Sequence, residues 1–290
     1  MSNSASDDKQ PHRLLAVLAH PDDETFGMGG TLAMYAHQGA EVSLVCATRG
    51  EVGEMDEEYM KGFSSIADRR ESELRCAAGL LGIQGVYFMG YRDSGMPGSP
   101  DNQHPQALFA QPLEKVVRDV VHYIRLIKPQ VVLTFDPIGG YRHPDHIAIQ
   151  QATEQAFYTA GKPDGIQDEL PPYAPQKLYF HIMPHGMLQA GVFLMKLLGR
   201  DPRHFGKNKD IDLASIAEVS FPTHAKIGYR PVAHLRDEAS ACHASQGGSQ
   251  MSQGALGWLR RVFASTENFM QAYPPPETHH IAHDLFEGVH

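Results

Sequence analysis

The stretch Leu14-Leu15-Ala16-Val17-Leu18-Ala19-His20-Pro21-Asp22-Asp23-Glu24 decides how this chain is read. Its first half is an apolar run of strand length; its second half puts an imidazole and three carboxylates into a tight turn. The small-residue run Gly27-Met28-Gly29-Gly30-Thr31 follows, and a helix is expected from Gly30 to His37. In an open parallel sheet, ligands collect at the carboxyl ends of the strands. A His and an Asp three residues apart at such an end reach one metal ion, and a second Asp between them can act on a metal-bound water. Carboxylates that only cap a helix N-terminus are the plainer explanation of the same turn. His20 in that turn, the repulsion of three acids without a cation, and a partner motif far along the chain favour the metal.

Strand and helix patterns alternate through the first half. Strands are expected at Leu14–Leu18, Val42–Thr48, Val86–Met89 and Val131–Phe135. Between them, Ile66–Leu81 and Pro112–Ile127 carry helical periodicity, the latter with Val116, Val117, Val120, Ile124 and Ile127 on one stripe. Short β-rich runs joined by helices make an α/β fold, a Rossmann-like, mostly parallel sheet flanked by helices. No Gly-x-Gly-x-x-Gly follows the first strand, since Leu32 takes the third position counted from Gly27, so a dinucleotide site is disfavoured.

The second half is less regular. A surface loop is expected over Lys162–Gln176, a fifth strand at Lys177–Ile182, and a core or lid helix at Met187–Leu198. Gly199–Asp210 reads as a basic loop, Ile216–Phe221 as a short strand, Ala225–Gln246 as a helix whose start Pro231 disturbs, Trp258–Phe263 as a short helix and Glu267–Tyr273 as a last strand. Residues 1–10 read as a frayed polar tail, and 11–290 as one domain elaborated from about 161 onward.

Composition narrows the function classes. The chain has 290 residues and a net charge of -9 with histidines neutral, and no basic stripe, so no nucleic-acid partner is expected. No run is long and apolar enough to span a bilayer, and no membrane partner is expected. The three cysteines, Cys46, Cys76 and Cys242, are widely spaced and form neither a metal-type pair nor a disulfide framework, which points to a reducing cytoplasm. Subunit number stays open, a homo-oligomer included.

After the fourth strand comes Asp136-Pro137-Ile138-Gly139-Gly140-Tyr141-Arg142-His143-Pro144-Asp145-His146. Pro144 suits a first helical position, which puts His143 at the cap and His146 one turn in. A catalytic zinc site takes three protein ligands and keeps one position open. His20, His146 and one of the two aspartates Asp22 and Asp23 supply two imidazoles and a carboxylate, and the second aspartate is left as a base. His143 and Tyr141 remain to stabilise charge on a substrate. Iron(II) is accepted by the same donors, and metal supply decides between them.

The two motifs together resemble the LmbE-like, or PIG-L, zinc deacetylases, a family that includes the N-acetylglucosaminyl-phosphatidylinositol deacetylases and the deacetylases and conjugate amidase of mycothiol and bacillithiol metabolism. The resemblance covers most of the first 150 residues, with a weaker echo in His243-Ala244-Ser245-Gln246. It implies zinc ligands His20, Asp23 and His146, Asp22 as general base, and His143 as an acid or charge-stabilising group. Tyr141 matches a tyrosine that helps hold the oxyanion in the mycothiol enzymes. The segments Arg70-Glu71-Ser72-Glu73-Leu74 and Arg92-Asp93-Ser94-Gly95-Met96 resemble substrate-contacting ones, which makes Arg70 and Asp93 substrate-binding candidates. Glu51 and Glu54 follow the second strand, facing either the cleft or solvent.

The expected reaction is removal of an N-acetyl or other N-acyl group from a glucosamine-containing small molecule. The alternatives are an amidase cleaving thiol S-conjugates, a non-catalytic zinc or sugar-binding module, and a phosphoesterase using Asp136, Asp145 and Glu24 for a second metal. The loops Gly95–Gln106 and Met187–Asp210 have no counterpart in the resemblance and leave the substrate's identity open.

Overall fold

Leu14 to Leu18 are wholly buried, as a strand covered on both faces must be. In the computed structural model, which describes residues 10–163, 165–166, 168–205, 211–249, 265–276 and 280–290, this run is β1 (Arg13–Leu18). It pairs in parallel with β2 (Glu41–Cys46) on one side and β4 (Val131–Phe135) on the other. β3 (Gly85–Phe88) extends the sheet beyond β2, and β5 (Lys177–Ile182) extends it beyond β4, both parallel. β7 (Thr266–Tyr273) then pairs antiparallel with both β5 and β6 (Ala225–Gly228). The order is β3-β2-β1-β4-β5-β7-β6. From β1 the chain moves outward to β2 and β3, and from β4 it moves the other way. The switch point therefore lies between β1 and β4, where a doubly wound sheet opens its crevice. Both polar motifs leave the sheet there.

The helices flank this sheet. α2 (Ile66–Leu81) starts where the Ser65 hydroxyl accepts from the Asp68 N–H, and stops at Gly82 in the left-handed region. α3 (Leu113–Ile127) buries the stripe read from its periodicity, except that Ile127 is only partly covered. α5 (Pro144–Thr159) begins with Pro144 directly after His143.

The first helix starts earlier than expected. α1 runs Asp23–His37, with Asp23 and Glu24 in its first turn and a kink at Met28. The small-residue run lies inside it because Tyr229 packs there: a Cβ on Gly30 would sit 2.2 Å from that ring. The expected strand at Ile216–Phe221 is absent. A one-turn helix, α7 (Leu213–Ile216), takes its start, capped by the Asp212 carboxylate accepting from the Ser215 N–H. Ala225–Gln246 is not one helix. Ala225 and Ile227 are buried while Lys226 and Gly228 are exposed, a period of two that makes β6. A short turn at Pro231 separates it from α8 (Ala233–Cys242).

The segment Met187–Leu198 forms most of α6 (His185–Leu197), whose one buried residue is Val192, so it is not a core helix. Met187, Phe193, Leu194, Leu197 and Leu198 are exposed. The expected helix Trp258–Phe263 lies outside the described residues, as does all of the N-terminal tail before Gln10.

One expectation from the cysteines is corrected. Cys76 on α2 and Cys242 on α8 form a disulfide across 166 residues, and only Cys46 is free and buried. Sequence separation hid this, because α2 and α8 pack side by side only in the fold. The cysteine pattern accordingly gives no argument for a reducing compartment. Among the described residues, no helix is long and apolar enough to cross a membrane.

Candidate active site

The turn after β1 and the turn after β4 bring their side chains into contact. His20 Nδ1 lies 3.2 Å from His146 Nε2 and 3.6 Å from Asp23 Oδ2, and His146 Nε2 lies 3.3 Å from Asp23 Oδ1. Donors bound tetrahedrally at zinc distances stand roughly 3.3 Å from one another; the His20–His146 pair matches that spacing, and Asp23 turns one oxygen toward each ring. All three side chains are buried. His143 joins the cluster, with ring nitrogens of His20, His143 and His146 all within 4.8 Å of one another. His20, Asp93, His143 and Asp145 form a second, overlapping group of the same compactness.

Opposed charges set the protonation of the cluster. Burial alone would depress the His20 imidazole, but Asp93 first, then Asp145 and Asp23, outweigh it and raise its pKa well above the usual value. Burial likewise works to raise Asp23, and His146 and His20 overcome it and hold that carboxyl far down. Burial keeps His143 and His146 neutral, with pKa values pushed down to about 3 and about 4. His143 and His146 are thus held in the neutral form that ligation requires, and Asp23 in the ionised one, while His20 would have to give up a proton to ligate.

Asp22 stands apart from its neighbour. Burial pushes its carboxyl up to about 6, against the pull of the Arg70 guanidinium 3.0 Å away. That value lies in the range of a base working near neutral pH. Its backbone has φ 122°, unusual for a residue with a side chain. Arg70 is buried and points inward, donating to the Pro21 carbonyl at 2.7 Å and to the Gly50 carbonyl at 3.3 Å. Gly50 makes room for it, since a Cβ there would meet the guanidinium at 2.2 Å.

Asp93 is also drawn in. Its Oδ1 lies 3.5 Å from His20 Nε2 and accepts from the Gly95 N–H, and its own N–H donates to Glu51. Glu51 therefore braces this loop. Tyr141 sits on the short helix α4 (Gly139–Arg142), with its ring 4.9 Å from that of His146 and 5.8 Å from that of His143. Burial raises its phenol well above the usual range, so it stays a donor.

Several residues escaped the sequence reading or were given other roles. Asp145 is fully buried, accepts from the Ser94 N–H and hydroxyl, and takes a hydrogen bond from His20 Nε2 at 3.1 Å. It holds the His20 ring through that contact, and with His20, Asp93 and His143 it also stands in a group compact enough for a metal. Asp136 accepts from the N–H groups of Ile138 and Gly140 and shapes its own turn. Glu24 receives His243 Nε2 at 2.7 Å, and Ser245 donates twice to Glu73. The one sequence signal for these last contacts is the His243-Ala244-Ser245-Gln246 segment.

Comparison with known proteins adds an independent line. Residues 15–157 match the PIG-L family model, described as GlcNAc-PI de-N-acetylase. A 1D-myo-inositol 2-acetamido-2-deoxy-alpha-D-glucopyranoside deacetylase of Geodermatophilus obscurus is 35% identical over 243 residues, covering 81% of this chain and 82% of that one. A deacetylase of the same description from Catenulispora acidiphila is 32% identical over the full length of both. Among solved structures, N,N'-diacetylchitobiose deacetylase from Pyrococcus horikoshii superposes with a TM-score of 0.62 at 21% identity, covering 90% of this chain and 84% of that one. GalB, a 4-carboxy-2-hydroxymuconate hydratase of Pseudomonas putida, gives 0.60 at 19%, covering 92% and 98%. The fold thus carries more than one chemistry, and the site has to decide between them.

Proposed function

The chain belongs to the PIG-L family of de-N-acetylases, and from that premise we propose that it is a zinc-dependent N-deacetylase acting on a small glucosamine-containing molecule. Deacetylase-type hydrolysis of an acetamido sugar follows from the family and its sequence relatives. The observation that carries the finer reading is the separation of roles between two adjacent aspartates. Asp23 turns one oxygen to His20 and the other to His146, while Asp22 turns away to Arg70 with its carboxyl pushed up to about 6. A site that only bound a metal or a sugar would have no use for the second arrangement.

His20, Asp23 and His146 are the residues to hold the ion. Zinc bound there supplies a water ionised near neutral pH and polarises an acyl carbonyl. Asp22 takes the proton released as water adds to the N-acyl carbon, and returns it to the amine nitrogen as the C–N bond breaks. The products are a carboxylate and a free amine. His143 accepts the Asp145 N–H at its Nδ1, so its neutral ring carries the proton on Nε2 and can donate it to developing oxyanion charge. Tyr141 offers a second donor on the same side. Arg70 and Asp93 are proposed to act from the rim of this cluster on the base and on His20. The resemblance assigns both to substrate contacts.

The test is amine release from N-acetylglucosaminyl-inositol by the zinc-loaded protein, beside a thiol S-conjugate of the same scaffold. Asp22→Asn is expected to retain zinc and lose at least about 10²-fold in turnover. Full activity in zinc-loaded Asp22→Asn would defeat the assignment of the base. Release from the S-conjugate alone would replace the deacetylase by an amidase.

A further inference from the structure

The backbone of Asp22 has φ 122° and ψ -27°, a conformation that a residue with a Cβ keeps only when its surroundings impose it. Arg70 holds one edge of the peptide unit that leads into Asp22, donating to the Pro21 carbonyl at 2.7 Å. At the opposite edge of the same peptide unit, the Asp22 N–H donates to Glu24 Oε2 at 3.0 Å. Glu24 is completely buried, and its other oxygen receives the Thr25 hydroxyl at 2.6 Å and His243 Nε2 at 2.7 Å. His243 is also fully buried. Burial would lower its pKa, but the neighbouring Glu24 outweighs burial and raises it. A buried hydrogen-bonded pair of this kind stabilises little in itself, and removing one partner leaves the other unsatisfied. It does hold geometry, and the geometry it holds is that of Asp22.

His243 reaches this position from 219 residues away. It follows the last residue of α8, and three contacts fix it there. Cys242, its neighbour, is bonded to Cys76 on α2. Ser245 donates its N–H and hydroxyl to Glu73, also on α2, at 3.0 and 2.6 Å. The ring of Phe26 meets the His243 ring edge-on at 5.7 Å.

We propose that His243 is a positioning residue for the deacetylation: through Glu24 it fixes the strained backbone of Asp22, and so the direction in which that carboxylate faces the attacking water. The inference rests on Asp22 being the base. It assigns a role in the reaction to the C-terminal segment, which supplies none of the proposed metal ligands.

The experiment measures kcat, KM and bound zinc for His243→Ala, His243→Gln, Glu24→Gln and the double variant His243→Gln/Glu24→Gln, with Asp22→Asn in parallel. His243→Ala is expected to lose at least about 10-fold in kcat, with KM and zinc content kept, because a misdirected base slows the chemical step without weakening binding. His243→Gln, which returns an N–H near the Nε2 position, is expected to recover part of that loss. A structural role alone predicts no such rescue and a loss of zinc in step with kcat, and that result overturns the proposal. Wild-type kcat in His243→Ala overturns it as well. Should His243→Ala not fold, the double variant decides. Losses that multiply exactly as independent sites overturn the proposal, and a double variant no slower than the worse single supports it. An active, zinc-loaded Asp22→Asn would instead refute the base assignment, a failure distinguishable from a dispensable His243.

Discussion

His20 is gripped from both sides of its ring: Nε2 lies 3.1 Å from Asp145 Oδ2, and Nδ1 lies 3.2 Å from His146 Nε2. Once the ring gives up its second proton to ligate, a proton kept on Nε2 and bonded to Asp145 leaves the Nδ1 lone pair facing the cluster, and that bond fixes the plane of the ring. Asp145 in turn is held by the Ser94 N–H at 2.8 Å. Asp145→Asn is expected to weaken zinc binding by about 10–100-fold, the usual cost of losing an orienting carboxylate. Competition with a chelator of known affinity measures it. Unchanged zinc affinity would mean that His20 keeps its orientation without Asp145.

Arg70 touches Asp22, Pro21 and Gly50 through its terminal nitrogens. Arg70→Lys removes the planar fork that makes these contacts together. Gly50→Ala would push the same guanidinium aside, at a position whose φ of 68° already resists a side chain. Both variants are expected to lose on the order of 10²-fold in kcat, since a displaced base is costly even by about 1 Å. KM is expected to hold. A raised KM with kcat intact would return Arg70 to the substrate-contacting role that the resemblance implies.

The parallel half of the sheet was legible because its code is local. Leu14–Leu18, Val131–Phe135 and Lys177–Ile182 are short β-rich runs between turn residues, and each became a strand at those positions. The cluster was legible for a related reason: His20 and His146 follow the two strands at the switch point, and their turns carry recognisable residues. What failed depended on contacts distant in sequence. β6 exists because Ala225–Gly228 pairs with Thr266–Phe269, and Cys76 meets Cys242 only once α2 and α8 pack. The partners of Asp145 and Glu24 were not legible either, because Ser94 and His243 lie 51 and 219 residues away.

The disulfide makes a stability prediction of its own. It closes a 166-residue loop, so it removes much freedom from the unfolded chain. Reduction, or replacement of both cysteines by serine, is expected to lower unfolding free energy by about 2–4 kcal/mol. Urea unfolding with and without reductant reads the difference. The double serine variant is the control, since reductant should leave its midpoint unchanged. Equal midpoints for oxidised and reduced wild type would remove the bond from the account of stability.

His181 gives the protein an acid-sensitive element away from the proposed ligands. It lies on β5, with its Nδ1 3.6 Å from where a Cβ on Gly27 would stand and its ring 5.7 Å from that of Phe269. Burial pushes its pKa down to about 4 from an ordinary 6.5. Below the ordinary value the unfolded chain takes up a proton that the folded chain refuses, so this residue's contribution to stability is intact above about 6.5 and shrinks as pH falls toward 4. Between pH 7 and pH 5 the loss from this one group is about 2 kcal/mol. His181→Gln cannot titrate, so its unfolding free energy should fall less than that of the wild type over the same interval, by that amount. Parallel declines for the two proteins would mean that protonation of His181 is not resisted by the fold, and that the acid sensitivity arises among the carboxylates around His20 instead.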